Sequence, residues 1–179
     1  MNKGITYDDV LLVPQYSDIL SRREVDLTTD FGKGIELSLP IIASPMDTVS
    51  EADMAGNLGE LGGLSIIHRY NTIQEQSKIV SSLASNGCQV GAAIGVGEDF
   101  VNRAIALSNA GVGFLCIDVA HGHHVLVERA LKQMRDKYGT DINIIAGNVA
   151  TPKGYKSLSD WGADAVRVGI GGGSICSTR

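Results

Sequence analysis

Six short apolar runs, each followed by a stretch of helical periodicity, constrain this chain more than any other feature of it. The runs occupy 41–43, 64–67, 89–93, 114–117, 142–146 and 165–168, and each is short enough for a strand buried on both faces. Between them, Ile73, Ile79, Val80 and Leu83 share one helical face, as do Val101, Ile105 and Leu107 with Ser108, and then Leu126, Ala130, Leu131 and Met134. Run starts lie roughly 22–29 residues apart, about one βα unit, so the pattern predicts a parallel α/β sheet. The punctuation agrees. Gly62-Gly63, Asn86-Gly87, Gly111 with Gly113, Gly139 and Gly162 each follow a helical stretch, where a left-handed cap favours glycine. Thr151-Pro152 reads as an N-cap followed by a first-turn proline. Residues 1–40 read as a lead-in with short hairpin-like strands.

The 179 residues predict one core and a single domain over 1–179. With 44% hydrophobic and 20% charged residues the composition is that of a soluble globular protein, too apolar for disorder. No apolar run approaches the roughly 18 residues that span a bilayer, so no membrane partner is expected. Residues 1–9 carry acid where a signal peptide has its apolar core, and Cys88, Cys116 and Cys176 are an odd number without a CxxC pair. A reducing, cytoplasmic setting follows, without a disulfide framework or structural zinc, and Cys88 and Cys116 read as small buried apolar residues. The net charge is −5 and the Lys and Arg residues are scattered, which argues against nucleic acid as a partner.

A doubly wound sheet and a (β/α)8 barrel both satisfy the alternation. The polar residues favour the barrel: Ser44 and Asp47, His68 and Arg69, Asp118 and His121, Asn148, and Cys176 each follow the C-terminal end of a run. A barrel gathers such positions on one face, whereas an open sheet concentrates its site at one switch point.

The densest constellation is 169–179 (GIGGGSICSTR), where four glycines in five positions leave backbone groups bare enough to line an ion or phosphate site. Ser174 can donate to a phosphate. Cys176 stands in this loop, where a nucleophilic thiol can meet substrate; a flexible glycine loop with an incidental thiol is the plainer reading of the pattern. Asp118 is followed by His121, His123 and His124, which suggests metal, but adjacent histidines point apart, and a carboxylate that accepts from a ribose hydroxyl or an amide is better supported. His68-Arg69 either binds an anion or caps its strand. Asn148 offers donor and acceptor at another strand end, or is a turn asparagine.

Four segments in order, 6–15 (TYDDVLLVPQ), 44–49 (SPMDTV), 146–151 (AGNVAT) and 173–179 (GSICSTR), resemble the inosine monophosphate dehydrogenase and guanosine monophosphate reductase family, over essentially the whole chain. The resemblance implies a (β/α)8 barrel of which this chain supplies about the first six strands. It also implies a cysteine that attacks C2 of a bound purine nucleotide, with hydride passing to or from a nicotinamide. By that likeness Cys176 is the nucleophile and Thr178 helps position the water or the leaving amine. Ser44, Met46, Asn148, Arg167 and Ser174 match nucleotide-contacting positions, and Asp118 and Gly169 match positions facing the nicotinamide nucleotide. The carbonyls of Gly171, Gly173 and Cys176 match a monovalent-cation site, for potassium. The family's habit is a cytoplasmic homotetramer acting in purine metabolism and GMP biosynthesis.

Two departures stand out. Gly172 occupies a position where proline or serine is common, which should loosen the cation site, and Val119-Ala120 follows Asp118 where the dehydrogenases usually carry a hydroxyl residue. The dehydrogenase usually has a regulatory insert after its second strand; here 68–76 (HRYNTIQEQ) runs straight into a helix, so no insert is expected between the second and third strands. That and Val119 favour the reductase, which would use NADP. Ser44-Pro45-Met46, where reductases typically place Asn before the Met, together with 62–69 and 74–76, favours the NAD-dependent dehydrogenase, the preferred expectation. A nucleotide-binding or assembly remnant without chemistry is the alternative of another class. A closed barrel takes eight strands and about 250 residues, so the chain is expected to need a further C-terminal segment, where the residues that set reaction direction would lie.

Overall fold

The structure is a computed structural model that describes residues 4–5, 7–31, 34–173 and 176. The expected hairpin lies in the lead-in: β1 (Thr29–Asp30) and β2 (Glu36–Leu37) pair antiparallel. Six parallel strands follow, β3 (Ile42–Ala43), β4 (Leu64–Ile67), β5 (Gly91–Ile94), β6 (Phe114–Asp118), β7 (Asn143–Val149) and β8 (Ala165–Val168). Helices α1 (Ala52–Glu60), α2 (Ile73–Ser85), α3 (Phe100–Asn109), α4 (Val125–Tyr138) and α5 (Pro152–Asp160) connect them in turn. Strand order is sequential from β3 to β8. A doubly wound sheet reverses its order at a switch point; this sheet does not, and instead curls into a half-barrel.

The curl separates two apolar layers by strand alternation. Ile67, Ala92, Ile94, Leu115, Ile117, Ile144 and Ala146 face the helices. Leu64, Ile66, Ala93, Phe114, Cys116 and Ile145 form the inner layer with Ile35 and Leu37 of the hairpin region. Gly91 is small because the inner layer needs it: a Cβ there would lie 2.0 Å from Cζ of Phe114, whose ring is buried. Gly91→Ala is expected to lower stability by about 1–3 kcal/mol through overpacking, read as a lower urea midpoint with an unchanged slope; an unaltered midpoint would mean that the ring relaxes freely.

Local signals set the boundaries. The Thr151 hydroxyl accepts from the Gly154 amide at 3.0 Å with Pro152 in the first turn. Thr72 and Glu75 form a reciprocal capping box on α2, and the Thr72 amide holds the Glu75 carboxyl below its ordinary range. Gly62, Gly87, Gly111, Gly139 and Gly162 all have positive φ.

Two expectations need correction. Leu126 is exposed and Val127 takes its place beside Ala130, Leu131 and Met134 on the buried face of α4, because the His124 ring caps the helix by accepting from the Leu126 amide and the apolar stripe begins one position later. Cys88 is half-buried rather than buried; it follows the α2 cap and packs at the margin of the outer layer. Among the described residues no helix is long and apolar enough to cross a membrane.

Candidate functional site

Ser44, Met46, Asp118, Asn148, Arg167, Gly169, Gly171 and Cys176 line one cleft of about 510 Å³ at the C-terminal ends of the parallel strands. Asp47 and Tyr70 complete its walls. The turn after β3 is tight: Met46 donates its amide to the Ser44 carbonyl at 2.8 Å, and the buried Ser50 hydroxyl donates to the same carbonyl. Ser44 and Met46 are thereby held at the rim.

The floor is an ion pair that reaches across β7 from β8 to β6. Arg167 Nη1 donates to Asp118 Oδ1 at 2.5 Å, and Arg167 Nη2 reaches Ser44 Oγ at 3.4 Å, so one guanidinium joins the ends of β8, β6 and β3. Gly147 makes the approach possible, since a Cβ there would lie 2.6 Å from Cβ of Arg167. Asn148 owes its place to a register irregularity between Gly147 and Val149 against β8. A bulge of this kind re-aims a side chain out of the ladder. Its backbone is not left open: the Asn148 amide donates to the Val119 carbonyl at 2.8 Å, and its carbonyl accepts from Gly122 at 2.7 Å.

The glycine loop starts where the Gly169 amide donates to the Val149 carbonyl at 2.7 Å. Gly171 has φ 65°, a left-handed conformation that a side chain would strain, and it turns the chain back toward the cleft. The Cys176 amide donates to the Gly173 carbonyl at 3.0 Å. Ser174 and Thr178 lie outside the described residues. Of the three thiols, Cys176 is the one that lines the cleft. Cys116 is fully buried in the inner layer, and burial pushes its thiol up to about 12.

Other polar strand-end residues do not join the cleft. His68 is buried, its Nε2 bonded to Glu51 Oε1 at 3.0 Å and its Nδ1 accepting from the Tyr70 amide. That pattern fixes the proton on Nε2 and makes His68 a clamp between the loops after β3 and β4. His124 caps α4 and His123 packs on Trp161. Among the described residues no three His, Cys, Asp or Glu side chains gather as a metal site. Sequence reasoning about the site missed Tyr70, whose signal was an aromatic one residue beyond His68-Arg69.

The chain matches the family described as "IMP dehydrogenase / GMP reductase domain" over residues 4–179. It is 37% identical to the inosine-5'-monophosphate dehydrogenase of Cryptosporidium parvum, over 100% of this chain and 54% of that protein. Against the inosine-5'-monophosphate dehydrogenase of Borreliella burgdorferi the identity is 32%, over 99% of this chain and 56% of the relative. Against the GMP reductase of Mycoplasma mycoides subsp. mycoides SC it is 33%, over 99% and 55%. The chain thus spans just over half the length of these curated relatives.

Proposed function

Since the chain belongs to the IMP dehydrogenase / GMP reductase family, we propose that its cleft binds a purine nucleoside monophosphate and that Cys176 attacks purine C2. The favoured reaction is IMP plus NAD plus water giving XMP, NADH and a proton. The observation that carries it is convergence: a loop thiol, an amide side chain and an Asp–Arg pair from the ends of β6, β7 and β8 line one cleft.

The chemistry follows from the residues. A bond from Cys176 Sγ to C2 makes that carbon tetrahedral, so it can release hydride without forming a free cation, and the barrier divides into two steps. The bound dinucleotide supplies the hydride acceptor. Water then adds at C2 and expels the thiol; Thr178 orients that water. Asn148 holds the purine ring edge through donor and acceptor, Ser44, Met46 and Ser174 hold the rest of the nucleotide, and Arg167 links them to Asp118.

The dinucleotide fits the donor set. Asp118 Oδ1 is taken by Arg167, whereas Oδ2 has no partner among the described residues and suits a ribose hydroxyl beside Gly169. Potassium fits as well. The carbonyls of Gly171, Gly173 and Cys176 belong to one loop, closed by the bond from the Cys176 amide to the Gly173 carbonyl, and carbonyl oxygens are acceptors of the kind that hold a monovalent cation.

A second reading is GMP reduction with NADPH to IMP, ammonia and NADP. The alignment with the M. mycoides reductase runs over 180 residues, close to the 179 of this chain, whereas that with the C. parvum dehydrogenase runs over 222. Residues 68–72 join β4 to α2 directly, consistent with a barrel domain lacking an insert there. A cytoplasmic homotetramer belongs to the same proposal.

One assay separates the readings. With the protein in its natural full length, nicotinamide absorbance is followed with IMP plus NAD and separately with GMP plus NADPH, each in potassium, sodium or lithium salts at equal ionic strength. The first pair is expected to turn over, faster in potassium; matched ionic strength excludes screening as the cause. Turnover of the second pair alone would establish the reductase, nucleotide binding with neither turnover would establish the remnant, and equal rates in all salts would dismiss the cation site.

A further inference from the structure

We infer that the Tyr70 ring is the wall of the cleft on which the nicotinamide ring of the dinucleotide stacks, making Tyr70 a determinant of dinucleotide affinity. The inference rests on the family reading above. Tyr70 lines the cleft and is 65% exposed, yet its position is held from every side. Its amide donates to Nδ1 of the buried His68 at 3.1 Å, and His68 is bonded in turn to Glu51. The next carbonyl, that of Asn71, accepts from both terminal nitrogens of Arg103 at 3.3 Å, and the capping box begins at Thr72. Arg103 is itself buried against Gln76 Oε1, and Gln76 Nε2 donates to the carbonyls of Ile67 and Ala93. These bonds tie the loop to the ends of β4 and β5. An exposed ring on so fixed a backbone surrenders little entropy when a ligand stacks on it.

The ring's surroundings point the same way. The Arg69 guanidinium lies 5.4 Å from the Tyr70 centroid and packs against Gly95, where a Cβ would come within 3.4 Å of its central carbon. Arg69 does not line the cleft, and the buried His68 ring lies 6.2 Å from the Tyr70 centroid at 24°; with both neighbours in place Tyr70 still stays 65% exposed along the cleft, which leaves ring surface for a ligand. The stereochemistry of the reaction then selects which ligand. Cys176 follows β8 and Tyr70 follows β4, with β5, β6 and β7 between them in the curled sheet, so thiol and phenol stand on opposite walls. Attack at C2 from the thiol wall bends the C2 hydrogen toward the opposite face of the purine. The hydride partner must therefore lie over that face, between the purine and Tyr70.

The test compares the natural full-length protein with Tyr70→Ala and Tyr70→Phe, by steady-state kinetics and by calorimetric titration of each ligand. Tyr70→Ala is expected to weaken dinucleotide affinity about tenfold, the size of one lost aromatic stack, while purine-nucleotide affinity stays within twofold of the parent as a control for folding. Tyr70→Phe, which keeps the ring, is expected to recover most of that affinity. Unchanged dinucleotide affinity in Tyr70→Ala, or a loss falling equally on the purine nucleotide, would overturn the inference. Absence of turnover in the parent protein would count against the family reading alone, because calorimetry still reports whether Tyr70 holds a dinucleotide.

Discussion

Cys176→Ser is expected to keep purine-nucleotide binding and to lose turnover by several orders of magnitude. A thiol delivers a useful fraction of thiolate near neutral pH, whereas a serine hydroxyl needs a dedicated base to become a nucleophile. Among the described residues no histidine lines the cleft, and the Asp118 carboxylate is engaged by Arg167. The contacts proposed for the nucleotide at Ser44, Met46 and Asn148 come from other strand ends, so affinity and chemistry are expected to separate in this variant. Turnover is read from nicotinamide absorbance and binding from calorimetry. Thiol-directed labelling of the parent gives a companion readout. Cys176, which lines the cleft, should react before Cys88, half-buried like it, and before the fully buried Cys116, and bound nucleotide should protect it. Equal modification of all three thiols, or a serine variant with near-parental turnover, would remove Cys176 from the nucleophile's place.

The second large effect is on stability at alkaline pH. Burial, the dominant cause, raises the Cys116 thiol from 9.0 to about 12 in the folded protein. Below pH 9 the thiol is protonated in folded and unfolded chains alike, so its contribution is constant. From there to about pH 12 the unfolded chain releases the proton and the folded one keeps it, so stability falls as pH rises, by about 1.4 kcal/mol per unit. Over the whole interval the loss is of order 4 kcal/mol. Tyrosines and lysines titrate in the same range, so the measurement is a difference: urea unfolding of the parent and of Cys116→Ala across that interval. The variant starts less stable because it lacks the sulfur in the inner layer, but its stability should fall less steeply. Parallel pH slopes for the two proteins would show that Cys116 ionises without hindrance in the folded state.

Much of the architecture was legible because its determinants are local. A buried parallel strand is a short apolar run wherever it occurs, a left-handed cap asks for glycine at one position, and Thr151-Pro152 starts a helix by its own side chain and ring. The same locality explains why Ser44, Asp118 and Asn148 were expected on one face: in a curled parallel sheet the C-terminal ends of the strands gather around one cleft.

Tertiary structure decided what each of those residues does there. His68 and Asp118 are both polar groups at strand ends, yet His68 turns inward to Glu51, 17 positions earlier, while Asp118 meets Arg167, 49 positions later, at the cleft floor. Gln76 and Arg103 are polar positions among the buried residues of α2 and α3, and only the fold brings Arg103 onto both the Gln76 Oε1 and the Asn71 carbonyl. Tyr70 became a cleft wall only once its loop was fixed from both ends. Sequence by itself determined the alternation of strands and helices, their caps and the residues available at the strand ends, because those depend on neighbours along the chain. The partner of each polar group, and hence whether it is consumed in the scaffold or left facing the cleft, was decided by the fold, because hydrogen bonds and ion pairs depend on distances in space that sequence separation does not encode.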